Sequence, residues 1–353
     1  MISFKINNVP ILFIRGYAPE DTDVMLKFVQ SAGEPGAYEE CKVLFIDTPA
    51  TRPTVDAVKA LQSMGYRVFF RDHHGLEHPP HTEAEHKKHS AIVEISRCLG
   101  DDCTITTRGL HPACSTLVSV GEFSDATAII ADPDADGLTA ATKASGLFYP
   151  ELDDDAAKLD GEPALHLTGT ELATLLAKGI ATLPKIDPKN PANRDKFKQQ
   201  IFSQWVLALQ GNVDALEKLR AKAVVYDEAF KHAEDLVKSA QEVAPGVVLL
   251  DVLNTLEYDE GALMVLLEKM PGCRITVVRK GIGPIAALYG VQYSLAVTKE
   301  SQKKIDLQRF LPDGIETGPK EGVISNVSFL LHVSEDNWRR YVLPACKSLP
   351  MTL

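Results

Sequence analysis

The amino-acid sequence predicts an α/β protein, in which a parallel-sheet domain is joined by a long helix to a smaller α/β C-terminal domain. Apolar runs at 43–46, 66–70 and 128–131 have the length of buried strands, and segments with helical patterning lie between them. Strands that alternate with helices form a parallel sheet covered on both faces. A long amphipathic stretch, 214–243, then precedes further strand-like runs.

The first domain begins with a β-α-β-α-β pattern over residues 1–75. Its first strand is expected at 11–14. A helix is expected over 54–64, where Val55, Val58 and Leu61 fall on one face and Gly65 follows as a C-terminal signal. The remaining predictions in this half are a helix start after residue 82, a short strand at 104–107, a helix start at 138–144 and an acidic surface patch at 151–160.

The second half is predicted to be helical first and mixed afterwards. Its long helix is expected to end near Pro245-Gly246. The predicted helices are 171–178, 197–209, 214–243, 260–270 and a last one opening at Ser334, with a proline-rich loop at 184–193. The predicted strands are 247–251, 274–278 and 293–297.

Composition narrows the class of protein. A chain of 353 residues suits two domains. Its six cysteines include no CxxC pair, which argues against a zinc ribbon or a disulfide framework and favours reduced thiols in the cytoplasm. We expect neither a signal peptide nor a membrane span. A net charge of −11 counts against non-specific binding of long nucleic acid and favours a small phosphoester.

Polar residues follow three of the predicted strands. Asp47 ends one strand, Asp72-His73-His74 ends another, and Asp132, Asp134 and Asp136 follow a third. The carboxyl ends of parallel strands are where open α/β sheets bind ligands. Alternate Asp residues of an extended segment project from one side, and such carboxylates repel unless cations lie between them. Mixed Asp and His ligands suit manganese, zinc or iron, so the pattern predicts a binuclear metal cluster.

These motifs resemble the DHH phosphoesterase superfamily, which includes RecJ-type exonucleases, oligoribonucleases, cyclic-dinucleotide phosphodiesterases and manganese pyrophosphatases. The match rests on Asp47, Asp72-His73-His74 and the run Asp132 to Asp136, which lie at intervals similar to those between the family's motifs. The resemblance implies a metal-dependent hydrolase with two Mn²⁺ ions, or Mg²⁺ in their place, in which water activated by the metals attacks a phosphoester. The metal ligands it implies are Asp47, His73, Asp132, Asp134 and Asp136.

The resemblance also implies roles for the rest of the motif. Asp72 would orient the neighbouring histidine, and His74 would face the phosphate. The family's first motif, a His-x-Asp-x-Asp run near the N-terminus, is degraded here to Arg15–Asp23, which lacks a histidine but contains Asp21 and Asp23. We expect the run at 132–136 to supply both sets of ligands, with Asp21 and Asp23 as the alternative.

By the same resemblance, residues 1–210 form a DHH-type metal-binding catalytic domain, 211–243 a linker helix, and 244–353 a substrate-binding C-terminal domain. The family's glycine-rich histidine signature is absent from this last domain. Arg279, Lys280 and Gly281 are the nearest candidates for contact with a substrate phosphate, although such a group is also common in ordinary surface turns.

Two further stretches have alternative interpretations. Four histidines between 78 and 89 are expected in a solvated or phosphate-contacting loop, with metal binding as the less favoured alternative. Residues 111–116 are a candidate substrate loop, and Cys114 has no partner that would make it a nucleophile. A calcium loop at 132–143 is disfavoured because Lys143 stands where the loop's glutamate would be.

The function expected from the sequence is therefore hydrolysis of short oligonucleotides or small nucleotides such as cyclic dinucleotides. One alternative is a RecJ-like exonuclease specific for single strands. Another is a catalytically inactive protein of the same fold that binds a nucleotide or a partner. The sequence leaves the oligomeric state open, a homodimer included.

Overall fold

The structure is a computed structural model. It describes residues 2–36, 40–80, 83–161, 167–182, 192–255, 258–281, 290–298, 300–302, 304–312, 323–327 and 329–350. The chain divides into two compact units: the first takes in residues 1–183 and 194–222, and the second takes in the rest. Among the described residues, no helix is long and apolar enough to cross a membrane.

The first unit is built on a six-stranded sheet. Its strands are β1 (Ile2–Ile6), β2 (Val9–Phe13), β3 (Lys42–Ile46), β4 (Arg67–Asp72), β5 (Cys103–Ile105) and β6 (Ala128–Ala131). They lie in the order β1-β2-β6-β3-β4-β5. All neighbours are parallel except β1 and β2, so the predicted α/β class and parallel sheet are confirmed.

Helices cover this sheet. They are α1 (Asp21–Ala32), α2 (Arg52–Ser63), α3 (Glu83–Leu99), α4 (Ala135–Ala144), α5 (Leu152–Gly161), α6 (Glu171–Ala181), α7 (Ala192–Leu209) and the first part of α8 (Val213–Val237). The predicted helix at 54–64 begins slightly earlier, because Thr51 caps it by accepting a hydrogen bond from the Thr54 N–H. Apolar side chains of α1, α2 and α3 pack against the sheet, among them Met25, Leu61 and Ile95.

The first strand was not predicted. β1 pairs with β2 as an antiparallel hairpin, from Ile2 opposite Phe13 to Ile6 opposite Val9. Asn7 and Asn8 form the turn with φ values of 46° and 70°, a backbone that asparagine tolerates better than most residues. Two adjacent asparagines are a weaker turn signal than Asn-Gly, which is why the pattern alone did not reveal this edge strand.

The expectation of an acidic surface patch at 151–160 holds only in part, since Glu151 and Asp154 are exposed and Asp155 is not. These residues form α5, and Asp155 on it is almost fully buried. Its carboxylate accepts hydrogen bonds from the Tyr149 hydroxyl at 2.7 Å and from the Thr170 backbone N–H at 3.0 Å. The groups that donate hydrogen bonds to Asp155 lie outside residues 151–160. The composition of that stretch therefore does not reveal that Asp155 is buried.

The second unit contains a second six-stranded sheet. Its strands are β7 (Gln241–Ala244), β8 (Val247–Asp251), β9 (Ile275–Lys280), β10 (Gln292–Val297), β11 (Val323–Val327) and β12 (Leu330–Ser334), in the order β11-β12-β10-β9-β8-β7. Only β8 and β9 are parallel. Its helices are the second part of α8, then α9 (Glu260–Glu268) and a final helical segment, α10, made of Glu335–Asn337, Trp338–Val342 and Leu343–Lys347.

The helix predicted over 214–243 is shorter than expected. α8 ends at Val237, and Gln241–Ala244 form β7, which pairs with β8 across the turn at Pro245-Gly246. Gly246 has a φ of 72°, which suits this turn. The division between the two units falls within α8, between residues 222 and 223. The predicted loop at 184–193 lies largely outside the described residues.

Candidate metal centre

The carboxyl ends of β3, β4 and β6 lie side by side and carry the acidic motifs. Because β3 is between β6 and β4 in the sheet, Asp47 follows the central strand of the three. Its backbone N–H bonds to the Arg71 carbonyl at 2.9 Å, and its φ is 53°. A left-handed backbone at a fully buried, non-glycine residue is uncommon and is characteristic of functional sites.

Three buried side chains converge around a fourth, His73. Its Nε2 lies 3.2 Å from Asp136 Oδ2 and 3.4 Å from Asp47 Oδ1. Cys114 completes the group, and the four potential ligand atoms all lie within 4.8 Å of one another. His73 Nδ1 is 2.8 Å from the His111 carbonyl oxygen, which can only accept, so Nδ1 carries the proton and Nε2 presents its lone pair to the carboxylates. Burial lowers the pKa of His73 to about 4, which keeps the ring neutral.

A second group shares Asp47 with the first. The potential ligand atoms of Asp47, Asp72 and His74 also lie within 4.8 Å of one another. His74 Nδ1 is 2.7 Å from Asp72 Oδ1 and 3.6 Å from Asp47 Oδ1. An Arg108 guanidinium nitrogen lies 3.1 Å from His74 Nε2. Because a guanidinium only donates, Nε2 accepts this bond and the His74 proton sits on Nδ1, facing Asp72.

The centre has the donor set that a pair of cations requires. Within the described part of the chain, five of its buried atoms receive no hydrogen bond from a nitrogen or an oxygen: both carboxylate oxygens of Asp47, Asp72 Oδ2, His73 Nε2 and Asp132 Oδ1. Burial, followed by the charges of Asp134 and Asp136, raises the pKa of Asp47 well above its usual range. Buried, unsatisfied carboxylates are costly unless a cation compensates them, so these residues fit divalent ions.

Asp132, Asp134 and Asp136, the three Asp residues of the predicted run, have different structural roles. Asp136 joins the buried group around His73, but it does so from the first turn of α4, so the expectation that all three project from one extended segment is wrong. Asp134 caps α4 by accepting from the Gly137 N–H at 2.8 Å. Asp132 lies beside Asp134, and burial followed by that neighbour raises the pKa of Asp132 to about 7.

Close packing at the start of α4 leaves no room for a side chain at Gly137. A Cβ atom there would lie 2.3 Å from the carbonyl oxygen of Asp132, so only glycine lets the helix begin directly against the strand end. The N-terminal candidates Asp21 and Asp23 belong to neither ligand group. Asp21 instead accepts a hydrogen bond from the Ala18 N–H at 2.9 Å, at the start of α1.

Four neighbours of the centre were missed or misread from the sequence. Arg108 links His74 to Asp160, whose carboxylate lies 3.0 Å from the guanidinium. Lys88 of α3 is half-buried, and burial lowers its pKa. Cys114 was considered only as a nucleophile; burial raises its pKa well above the usual value, which disfavours that role. The sequence around each of these residues does not indicate that it lies near the metal centre. Only the folding of the chain brings them close to the DHH motif.

An open pocket adjoins the centre between α2 and α3. Its volume is about 670 Å³, and His74 forms part of its wall. Apolar side chains dominate the rest of that wall: Pro49, Ala50, Pro53, Val55 and Ala91. Tyr17, whose side chain is 62 % exposed, and Lys88 also line it. The histidines at 78, 86 and 89 belong to neither ligand group, and His81 lies outside the described residues.

The predicted phosphate-binding residues of the second unit are engaged in ion pairs. Arg279 pairs with Asp251 at 2.6 Å and with Glu335 at 3.4 Å. Lys280 donates to both carboxylate oxygens of Glu260 at 2.6 Å. A phosphate would have to displace these carboxylates. Gly281 directly follows β9 and is closely packed, since a Cβ atom there would meet the side chain of Leu253.

No protein-family model and no curated protein matches the chain. Among solved structures it is similar to a DHH-domain member of a family of ribosomal proteins, at 15% identity over 96% of this chain and 76% of that one, with a TM-score of 0.46. It is similar to the pGpG-specific phosphodiesterase PggH from Vibrio cholerae at 12% identity over 85% and 96%, with a TM-score of 0.42. It is similar to the manganese-bound exonuclease RecJ at 12% identity over 88% and 76%, with a TM-score of 0.38. The first of these three proteins is a DHH domain, and DHH proteins are the ones that the strand-end motifs of this chain resemble.

Proposed function

We propose that this protein is a metal-dependent phosphoesterase that hydrolyses short oligonucleotides or small nucleotides. The observation that carries the proposal is the pair of ligand groups that share Asp47. A carboxylate common to two groups is the arrangement expected where two cations lie close together. The unsatisfied buried oxygens of Asp47 and Asp72 support the same conclusion.

Each ion has its own set of residues in this proposal. Asp47, His73 and Asp136 would hold one ion, and Asp47, Asp72 and His74 the other. His74 would bind its ion through Nδ1, with the ring proton on Nε2 instead, where it can donate to a phosphoryl oxygen. When bound, two divalent ions supply the Lewis acidity that activates water and neutralises phosphoryl oxygens. Mn²⁺ is the proposed ion for the set of Asp47, Asp72 and His74, with Mg²⁺ as the alternative, because oxygen and imidazole ligands suit manganese.

Arg108 is a cation of the chain that contacts His74 directly. Its side chain is half exposed and lies against His74, so its remaining N–H groups are available to an oxyanion. Asp160 holds the guanidinium in place from α5, and only 11 % of the Asp160 side chain is exposed. We assign to Arg108 and His74 the stabilisation of negative charge on the phosphoryl group.

The pocket beside His74 supports a small substrate with an apolar part. A volume of about 670 Å³ lies within the range of ordinary small-ligand sites. Its walls combine proline, alanine and valine side chains with the Tyr17 ring, two lysines, Lys87 and Lys88, and the ion pair of Arg52 with Glu94. An aromatic ring suits a nucleobase, and the lysines suit phosphate oxygens. We therefore place one nucleoside of the substrate in this pocket.

The first experiment compares substrates by length. Protein stripped of metal is supplied with Mn²⁺ or Mg²⁺ and assayed on a dinucleotide, on single strands of about 20 nucleotides and on pyrophosphate. The expected result is the highest kcat/KM for the dinucleotide. Asp136→Asn should lose at least about 100-fold in kcat, whereas Asp23→Asn should keep wild-type activity. Activity that rises with strand length favours the exonuclease alternative, and nucleotide binding without turnover favours the non-catalytic one.

The second experiment tests the nucleoside pocket. Tyr17→Ala should raise KM for a dinucleotide about tenfold, because stacking of a base on an aromatic ring is worth about 1–3 kcal/mol. Tyr17→Phe keeps the ring and should keep the wild-type KM. If both variants behave like the wild type, the nucleoside does not bind in this pocket.

A further inference from the structure

Cys114 occupies a position that packing alone does not explain. It begins the short 3-10 turn Cys114–Leu117 and is fully buried. Its backbone N–H donates to both carboxylate oxygens of Asp136, at 3.0 and 3.2 Å, which fixes the residue against a metal-binding side chain. Its sulfur atom lies within 4.8 Å of an Asp47 carboxylate oxygen. A small apolar residue could fill the same space without a sulfur atom among carboxylates.

The atoms around this thiol lack partners of their own. His73 Nε2 and both carboxylate oxygens of Asp47 are buried and receive no hydrogen bond from any described nitrogen or oxygen. The sulfur of Cys114, the imidazole nitrogen of His73 and one oxygen each from Asp47 and Asp136 lie within 4.8 Å of one another. One nitrogen, one sulfur and two oxygens make a four-coordinate set of the kind that holds a single ion.

We propose that the Cys114 thiolate is a ligand of the ion held by Asp47, His73 and Asp136, and that this position selects a thiophilic divalent ion such as Zn²⁺, Fe²⁺ or Co²⁺. The inference rests on the metal centre of the proposed function. Thiolate ligands favour these ions over Mn²⁺ and Mg²⁺, which prefer oxygen. The neighbouring set, Asp47, Asp72 and His74, contains no sulfur and suits Mn²⁺. The two positions therefore differ in metal preference.

Binding at Cys114 exchanges one bond for another. The thiol S–H bond breaks, its proton leaves to solvent or buffer, and the sulfur electron pair forms the bond to the ion. No electron is transferred, and no further reactant is needed.

The test uses Co²⁺ as a spectroscopic probe of the whole, metal-free protein under anaerobic conditions. A thiolate bound to Co²⁺ gives a charge-transfer absorption in the near ultraviolet that nitrogen and oxygen ligands do not give. We expect this band on titration of the wild-type protein and of Cys103→Ser, the matched control with a half-buried cysteine outside the centre. Cys114→Ser and Cys114→Ala should bind Co²⁺ without the band, and circular dichroism establishes that they fold.

A competition experiment measures the selectivity. The ratio of Zn²⁺ to Mn²⁺ affinity at the tighter position should fall at least about tenfold in Cys114→Ser relative to the wild type. If the wild-type protein binds Co²⁺ but shows no charge-transfer band, Cys114 is not a metal ligand. The phosphoesterase proposal is unaffected by that result. If the wild-type protein shows the charge-transfer band but hydrolyses no phosphoester, the proposed function is wrong and the assignment of Cys114 as a ligand still holds. A protein that binds no Co²⁺ would overturn both.

Discussion

Asp47→Asn should make the metal-free protein more stable and the metal-bound protein less stable. Asp47 and Asp136 present oxygen atoms within 4.8 Å of each other, both fully or almost fully buried. Two unit charges at that separation repel by about 3 kcal/mol at an effective dielectric constant of about 20. Asparagine removes this repulsion and also tolerates the left-handed backbone at this position.

The expected gain is smaller than the full repulsion. The wild-type cluster relieves part of it by holding a proton, so we expect the variant to be about 1–3 kcal/mol more stable in the presence of a chelator. That difference corresponds to a Tm higher by several degrees. With metal at about 1,000 times its Kd, a wild-type site gains about 4.1 kcal/mol of stability. The variant lacks the shared ligand and should gain much less, so the order of stability reverses.

Thermal unfolding in chelator and in Mn²⁺, followed by circular dichroism, measures this reversal. Asp23→Asn makes the same chemical change on the exposed face of α1 and should stay within about 0.5 kcal/mol of the wild type in both conditions. If Asp47→Asn is instead less stable than the wild type in chelator by more than about 1 kcal/mol, Asp47 is a structural residue and the electrostatic reasoning is refuted.

Three other substitutions have defined outcomes. Gly137→Ala forces a Cβ against the Asp132 carbonyl and should cost about 1–3 kcal/mol and weaken metal binding; a wild-type Tm would show that α4 can shift freely. Arg108→Met should lower kcat about 100-fold and, because the mostly buried Asp160 loses its partner, should also destabilise the protein by about 1–2 kcal/mol; an unchanged kcat would remove Arg108 from the site. Lys280→Met removes the cation that donates to both Glu260 oxygens, leaves Ser294 as a donor to that carboxylate, and should destabilise the protein by about 1–2 kcal/mol at constant KM. A raised KM with normal stability would identify Lys280 as a phosphate contact instead.

The sheet of the first unit was predictable because its central strands are continuous apolar runs, each ending at a polar residue. A parallel strand buried on both faces needs that composition, so 43–46 and 128–131 stand out in the sequence. The sequence predicts that these strands are neighbours only on the further assumption that the Asp residues at their carboxyl ends form one site, as the DHH motif indicates. By contrast, β7 consists of Gln241–Ala244, whose pattern continues that of the preceding helix, and only pairing with β8 makes it a strand.

The candidate site was predictable only in part, for a related reason. Asp47, His73 and Asp136 follow strands and share a sheet edge, so local pattern places them together. Cys114 and Arg108 lie in irregular segments outside the sheet. Hydrophobic periodicity in the sequence does not predict which residues of such a segment come close to the metal centre. The engagement of Arg279 with Asp251 and Glu335 likewise depends on tertiary pairing, which the composition of a basic stretch cannot show.

The burial of α4 has a consequence for how the centre responds to its ions. All ten residues of this helix, Ala135–Ala144, are buried, and Asp136 lies in its first turn. A segment enclosed on every side opens only with the surrounding structure, so its amide hydrogens should be among the slowest to exchange with solvent, with or without metal. The ligand framework is therefore rigid before an ion arrives. Ions should bind in a single fast phase, without a slow folding step, and should leave the exchange pattern of this helix nearly unchanged.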